Sequence, residues 1–383
     1  IAPHPDDEVL GCGGLIAEAV RQGSAVRVVS ITAGDGFSGA ATFASRTKPT
    51  PEDYLGLGIL RTQELRHACR LLGLQDEDVV LLGYPDRGLW RMLQNPNRPT
   101  RSATTQTNQV PYPDALSPRK PYTVPALIDD LKRVLKEFQP TDVFVSHPLD
   151  DHPDHMASAL LVREALEQAY HQDLLIQRPR LYYYIVHRGD WPLPQGEHPQ
   201  RDLTPPLGLT YENWQILHLS QDAQDRKRRA LMAHESQVAL MPRFLTSFLR
   251  QNELFLPAEA PRHIYRNPVD DGAMLRLRPN ADLSQVEVYP HRLGLEVVVE
   301  THKPLGNSVQ IDLTLIGIDA ENQWKSRRWR IDKQSPLVYE QSGNRLTLWI
   351  PDAELKRYQR AYLVVQTRLY GVEIDRSGVL PIP

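Results

Sequence analysis

Apolar and polar positions follow two different rhythms along the 383-residue chain, and the rhythm changes near residue 260. Upstream, helical and extended stretches take turns. Residues 9–22 have helical character and stop at Gly23, a residue suited to the left-handed position after a helix. Residues 25–32 (AVRVVSIT) form a β-branched run that ends at the turn Gly34-Asp35-Gly36. Residues 57–72 place Leu57, Leu60, Glu64, Ala68 and Leu71 at helical spacing, and 79–82 (VVLL) is a short strand. Pro125 opens another helix, with Leu127, Leu131, Val134, Leu135 and Phe138 on one stripe. Residues 142–146 (DVFVS) predict a strand, 155–169 a helix and 181–187 (LYYYIVH) a further strand. Ser220 is placed to cap a helix running to Gln237.

Strands alternating with helices predict an α/β fold, a Rossmann-like, mostly parallel sheet with helices on both faces. Ligands of such sheets bind at the carboxyl ends of the strands. The loops 4–8, 34–37, 84–88 and 147–155 all fall at strand ends, so one rim should gather them. From about residue 260 the pattern becomes period-two: Leu295, Val297, Val299; then Val309, Ile311, Leu313, Leu315; then Leu346, Leu348, Ile350. Turn signals at Gly306-Asn307, Glu321-Asn322 and Gly343-Asn344 separate these runs. This predicts a C-terminal antiparallel β-sandwich-like domain. The expected division is a catalytic α/β domain over 1–260 and a β-rich accessory domain over 261–383. That second domain would bind glycan, bind a partner, or cover one side of the first.

Composition narrows the classes of function. There are 44 basic and 47 acidic residues, a net charge of −3, which gives no electrostatic case for nucleic acid. No apolar run approaches the ~20 residues that span a bilayer. The two cysteines, Cys12 and Cys69, form neither a zinc motif nor a disulfide framework. Ile1-Ala2-Pro3 reads as the tail of a strand that begins upstream. Any signal peptide would lie upstream of it, so its absence says little about localisation, and the working expectation for the compartment is the cytoplasm. The prolines of 96–125 and 189–206 predict long loops. The run Arg226-Lys227-Arg228-Arg229 reads first as a solvated helix face, with an anionic-substrate contact as the alternative.

Chemistry concentrates in two clusters. His4-Pro5-Asp6-Asp7-Glu8 opens the chain, and Ser146 to His155 repeats the same residue types far downstream. Two histidines and one carboxylate, drawn from both clusters, would hold a metal and leave positions open for water, the mark of a catalytic site. Zn²⁺ suits this set, and Fe²⁺ fits it as a facial triad. A neighbouring carboxylate such as Asp6 suits general-base work. His152 is placed to donate to a developing oxyanion, and Asp154 or Asp151 to orient a histidine. The plainer alternative, that these side chains only cap helices, explains one cluster well and two poorly.

The paired motifs His4-Pro5-Asp6-Asp7-Glu8 and His152-Pro153-Asp154-His155 resemble those of the PIG-L/LmbE-like de-N-acetylases. Arg61-Thr62-Gln63-Glu64 with Leu72-Gly73, the loop Gly83-Tyr84-Pro85-Asp86, and residues 227–237 (KRRALMAHESQ) extend the resemblance over about residues 1–256. The resemblance implies that His4, Asp7 and His155 bind zinc. It implies that Asp6 is general base and then acid, and that His152 steadies the oxyanion. Asp35, Arg61, Asp86 and His234 become candidates for substrate contact. The implied substrate is a small molecule or glycan bearing an N-acetylated amino sugar. Two competing expectations remain: an amidohydrolase for another N-acyl group, since 91–124 and 189–206 can reshape a pocket, and a non-catalytic glycan- or partner-binding protein. Glu8 is left as a helix-start carboxylate.

Overall fold

The computed structural model describes residues 1–46, 48–258, 264–267, 273–306 and 308–382. The expected boundary at 260/261 and Asn307 of one expected turn lie outside these residues. The N-terminal half runs α1 (Asp7–Arg21), β1 (Val28–Thr32), α2 (Ser38–Ser45), α3 (Pro51–Leu72), β2 (Val79–Tyr84), α4 (Leu89–Gln94), α5 (Val124–Phe138), β3 (Asp142–Ser146), α6 (Pro153–His171) and β4 (Arg180–Tyr184). It continues through β5 (Gln215–His218), α7 (Gln221–Met232), α8 (Glu235–Val238), α9 (Pro242–Thr246) and β6 (Asn252–Pro257). β1 pairs with β2 in parallel, and β3 with β4 in parallel. β6 and β5 then add antiparallel strands, in the order β3-β4-β6-β5. The α/β expectation holds, with the sheets mixed rather than mostly parallel. β1 is buried at every position and β2 at all but one, which is why both read as continuous apolar runs.

Several element ends depart from the sequence reading, each for a local reason. α3 starts at Pro51 rather than 57, because Thr50 and Asp53 form a reciprocal capping box there. α7 stops at Met232 although helical spacing continues to Gln237. His234 turns inward to Glu8, and the backbone N–H and hydroxyl of Ser236 both donate to Glu64. β4 ends at Tyr184 rather than 187, since the backbone N–H groups of Val186 and His187 leave the ladder to donate to Asp150. The segment 91–124 is packed rather than a loose loop: Val110, Tyr112 and Tyr122 are buried in the main core.

The C-terminal region builds two antiparallel sheets. One is ordered β12-β13-β9-β8-β7 (Val338–Ser342, Arg345–Pro351, Gly294–Thr301, Leu283–His291, Ile264–Arg266). The other is ordered β11-β10-β14-β15 (Trp324–Ile331, Val309–Ile318, Arg360–Leu369, Val372–Arg376), with β16 (Leu380–Pro381) on β14. Leu313, Leu315, Val365, Val297 and Leu348 fill the space between the sheets. The alternate residues Ile316, Ile318, Tyr362 and Val364 instead join the α/β core. β10 is therefore covered on both faces, and its burial does not alternate. Arg360 and the Tyr362 hydroxyl both reach the fully buried Glu164 of α6, at 3.0 and 2.6 Å. The Val379 amide donates to Pro148 O in the second His/Asp loop at 3.0 Å. Of the three roles expected for this region, the packing shows the covering one.

Candidate metal centre

The four loops expected at one rim are tied to one another. Gly36 N donates to Asp86 Oδ2 at 2.6 Å. His4 Nε2 lies 3.2 Å from Asp86 Oδ1 and 3.4 Å from Asp154 Oδ2. Asp154 also receives the amides of Arg87 and Leu89, at 2.5 and 3.1 Å. Arg61 donates to Pro5 O and Gly34 O at 2.6 and 2.8 Å. The first and second His/Asp clusters, 150 residues apart, thus share one buried network.

At its centre three donor atoms face one another. His4 Nδ1 is 3.2 Å from Asp7 Oδ2, His155 Nε2 is 3.0 Å from the same oxygen, and the two ring nitrogens are 3.2 Å apart. Bonds of ~2.0–2.1 Å to a tetrahedral ion imply ligand separations of about 3.3 Å, so the spacing fits one cation. The far side of each ring supports this. His155 Nδ1 lies 3.2 Å from Asp150 Oδ2, and His4 Nε2 faces Asp86 and Asp154, which leaves a lone pair of each ring turned inward. Burial opposes charge on His155, but Asp150 and Asp7 outweigh it and raise its pKa to about 10. A cation would replace that proton.

Other donor groupings also lie close together: His4, His152 and His155; Asp7, His155 and His187; and His4, Asp86 and Asp154. Their chemistry suits them less. His152 Nδ1 accepts the Asp154 amide at 3.2 Å, so its other nitrogen carries hydrogen and donates. Burial, then His4, His155 and His187, hold His152 well below its ordinary pKa, which keeps that donor neutral. Asp86 and Asp154 are already occupied by backbone amides.

Asp6 stands beside this triad at φ 120°, a region non-glycine residues rarely adopt and which costs roughly 1–3 kcal/mol. Arg61 reaches its Oδ2 at 3.1 Å. Burial nevertheless pushes the Asp6 carboxyl up to about 6, with Arg61 opposing and Asp7 adding to the rise.

The remaining expected residues fall into place unevenly. Asp35 is buried, accepts the Tyr112 hydroxyl, and keeps Oδ1 without a partner among the described residues. Burial and then Asp86 raise its carboxyl to about 7. The Arg61 guanidinium is engaged by Pro5, Gly34 and Asp6, and Asp86 by His4 and Gly36. His234 is fully buried against Glu8, at 2.9 Å. Asp154 does orient a histidine; Asp151 instead pairs with Arg188 at 2.8 Å and with the Gly189 amide. Lys227 is buried on Glu253 at 2.7 Å, not held out for an anion, while Arg226 and Arg228 pair with surface acids.

Three residues of the site were absent from the sequence reading. Asp150 accepts four groups: His155 Nδ1, the Val186 and His187 amides, and the His152 amide at 2.9 Å. His187 packs edge-on to His155, with centroids 4.8 Å apart, and stacks on Phe244. Tyr112 arrives from the proline-rich segment. Only Asp150 carried a signal, its place in the second His/Asp cluster two residues before His152.

Comparison with known proteins agrees with the cluster. Residues 1–166 match the family described as PIG-L: GlcNAc-PI de-N-acetylase. A 1D-myo-inositol 2-acetamido-2-deoxy-alpha-D-glucopyranoside deacetylase from Mycobacterium sp. (strain JLS) is 26% identical over 269 residues, covering 68% of this chain and 80% of its own. Its counterpart from Corynebacterium kroppenstedtii is 30% identical over 177 residues, covering 44% and 40%. Among solved structures, N,N'-diacetylchitobiose deacetylase from Pyrococcus horikoshii is 20% identical, covers 67% of this chain and 81% of that one, and superposes with a TM-score of 0.43. Over residues 1–166, which carry the His/Asp cluster, the chain has a PIG-L/LmbE-like fold with a candidate His/Asp metal site consistent with that family of zinc-dependent deacetylases.

Proposed function

We propose that the protein is a metal-dependent amidohydrolase that removes the acetyl group from an N-acetylated amino sugar. The observation that carries this is the triad of His4 Nδ1, Asp7 Oδ2 and His155 Nε2, spaced for one cation with Asp6 beside it. A divalent ion there, Zn²⁺ or Fe²⁺, would acidify water and polarise an amide carbonyl. Asp6 takes the proton from the attacking water; a carboxyl near 6 is ionised at neutral pH yet basic enough to accept it. His152 donates its ring N–H to the oxygen that becomes an oxyanion. Asp6 then returns the proton to the nitrogen, and the C–N bond breaks to give acetate and a free amine. Asp35, with a free buried oxygen, is the substrate-contact candidate with capacity left. Arg61, Asp86 and His234 would act on substrate through Asp6 and His4. The names of the curated relatives, all deacetylases of a 2-acetamido sugar, support this substrate class.

We also propose the division into a catalytic unit over 1–260 and a β-rich unit from 261 that covers it. A second reading keeps the metal and changes the acyl group. It is favoured by Tyr112, which brings the 91–124 segment against Asp35. Acetate release measured across N-acetylglucosamine conjugates, longer N-acyl sugars and simple amides separates the two readings. No release from any N-acetyl sugar by metal-loaded protein contradicts the first.

A further inference from the structure

Glu8 has no part in the chemistry above, yet it is buried in the centre of it. Its Oε2 accepts the Asp6 amide at 2.9 Å, and its Oε1 lies 2.9 Å from His234 Nε2. Both contacts are shielded from water, since His234 is fully buried and sits where the helical segment after α7 breaks. The carboxylate holds the peptide on the N-terminal side of a residue whose φ is 120°. Arg61 holds the carbonyl end of the same peptide, through Pro5 O, and the side chain, through Asp6 Oδ2. An aspartate left to itself relaxes out of this region, because its Cβ is crowded there. Relaxation would swing the carboxylate away from the triad.

We propose that Glu8 and His234 form a positioning pair. Their buried contact clamps the strained Asp6 backbone and so aims the Asp6 carboxylate at the reacting water. This rests on the reading of Asp6 as general base. Neither residue touches substrate or metal in this role. It also accounts for Glu8 directly following the second motif aspartate, since from there a glutamate side chain reaches back to the amide of Asp6. The requirement is for an acceptor at position 8 facing the Asp6 amide and a hydrogen bond between positions 8 and 234, not for charge on either. Glu8→Gln keeps an oxygen for the Asp6 amide and turns its NH₂ to His234, whose neutral ring can accept at Nε2, while His234→Gln keeps a donor for Glu8 Oε1.

The test uses the full chain loaded with Zn²⁺, in the variants Glu8→Ala, Glu8→Gln, His234→Leu and His234→Gln, with Asp6→Ala as reference. The first readout is a crystal structure of Glu8→Ala, or of His234→Leu if Glu8→Ala does not fold. Asp6 should leave positive φ and its carboxylate should lose Arg61, while His4, Asp7 and His155 keep their places and bound zinc stays at wild-type stoichiometry. Asp6 unmoved in that structure overturns the proposal without reference to activity. The second readout is steady-state acetate release. A misplacement of about 1 Å costs up to ~100-fold, so kcat should fall ~10- to 100-fold in Glu8→Ala and His234→Leu, with KM within about twofold. The two glutamine variants should recover kcat to within about threefold of wild type. Losses in the glutamine variants as large as those in Glu8→Ala and His234→Leu, or loss of zinc in Glu8→Ala, also overturn it. Full activity in Asp6→Ala would instead remove the general-base reading, a separate failure.

Discussion

Asp150 gives the sharpest energetic test of how the site is held. Its Oδ2 takes three donors, His155 Nδ1 at 3.2 Å and the Val186 and His187 amides at 3.0 Å each, while Oδ1 takes the His152 amide at 2.9 Å. Consider Asp150→Asn, which keeps the shape. The single amide oxygen must stay on the crowded side, where three donors need it. The new NH₂ then opposes the His152 N–H. Bonds to a charged acceptor are worth about 1.5–3 kcal/mol each and neutral ones about 1, so three weakened bonds lose ~3 kcal/mol. The unsatisfied His152 amide adds ~1–3 kcal/mol. The expected destabilisation is about 4–6 kcal/mol, a large share of the roughly 5–15 kcal/mol that typical folds possess. His155 also loses the partner that fixes its tautomer, which should weaken metal binding about 10- to 100-fold. Urea denaturation measures the first quantity and chelator competition the second. A variant within about 1 kcal/mol of wild type, binding Zn²⁺ equally well, would refute the idea that Asp150 organises the site.

Other outcomes follow from the same geometry. His152→Phe should bind metal normally and lose ~100- to 1,000-fold in kcat, as expected when one oxyanion donor is removed; unchanged kcat denies it that role. Asp35 has a folded-state pKa of about 7 against an ordinary 3.8 because burial disfavours its charge. Its favourable contribution is complete below pH ~4 and is lost as pH rises through ~7. Asp35→Asn should therefore gain stability relative to wild type between about pH 5 and pH 8, by up to about 4 kcal/mol; a pH-independent difference in denaturation midpoint contradicts this. Glu164→Ala leaves Arg360 and Tyr362 without their shared acceptor and should cost about 3–5 kcal/mol. Limited proteolysis between the α/β and β-rich regions should speed up correspondingly, and wild-type resistance would show that the anchor is dispensable.

The sequence carried what depends on local rhythm and left out what depends on distant partners. Continuous apolar runs revealed β1 and β2, since strands buried on both faces have no other pattern, and the β-branched and aromatic stretch DVFVS revealed the partly exposed β3. The period-two runs revealed the C-terminal sheets. The antiparallel additions of β5 and β6 were invisible, because pairing direction is a tertiary choice. The early stop of α7 and of β4 had the same origin: Glu8, Glu64 and Asp150 take groups that regular structure would have used. Within the site, the two His/Asp clusters could be read from residue type and spacing, and the resemblance picked out His4, Asp7 and His155 among them. The bracing could not, since Glu8, Asp86 and Asp150 look like ordinary acids until the fold shows which histidine or amide each one faces.

One measurement bears most directly on the central claim: acetate release from N-acetylglucosamine conjugates by wild-type and Asp6→Ala proteins, with bound metal quantified in the same samples. The account expects about one Zn²⁺ or Fe²⁺ per chain in both proteins. It expects release by the wild type that chelation abolishes and metal restores, and a loss of several orders of magnitude in Asp6→Ala. Near-wild-type turnover in Asp6→Ala, or turnover that survives complete removal of metal, would contradict it.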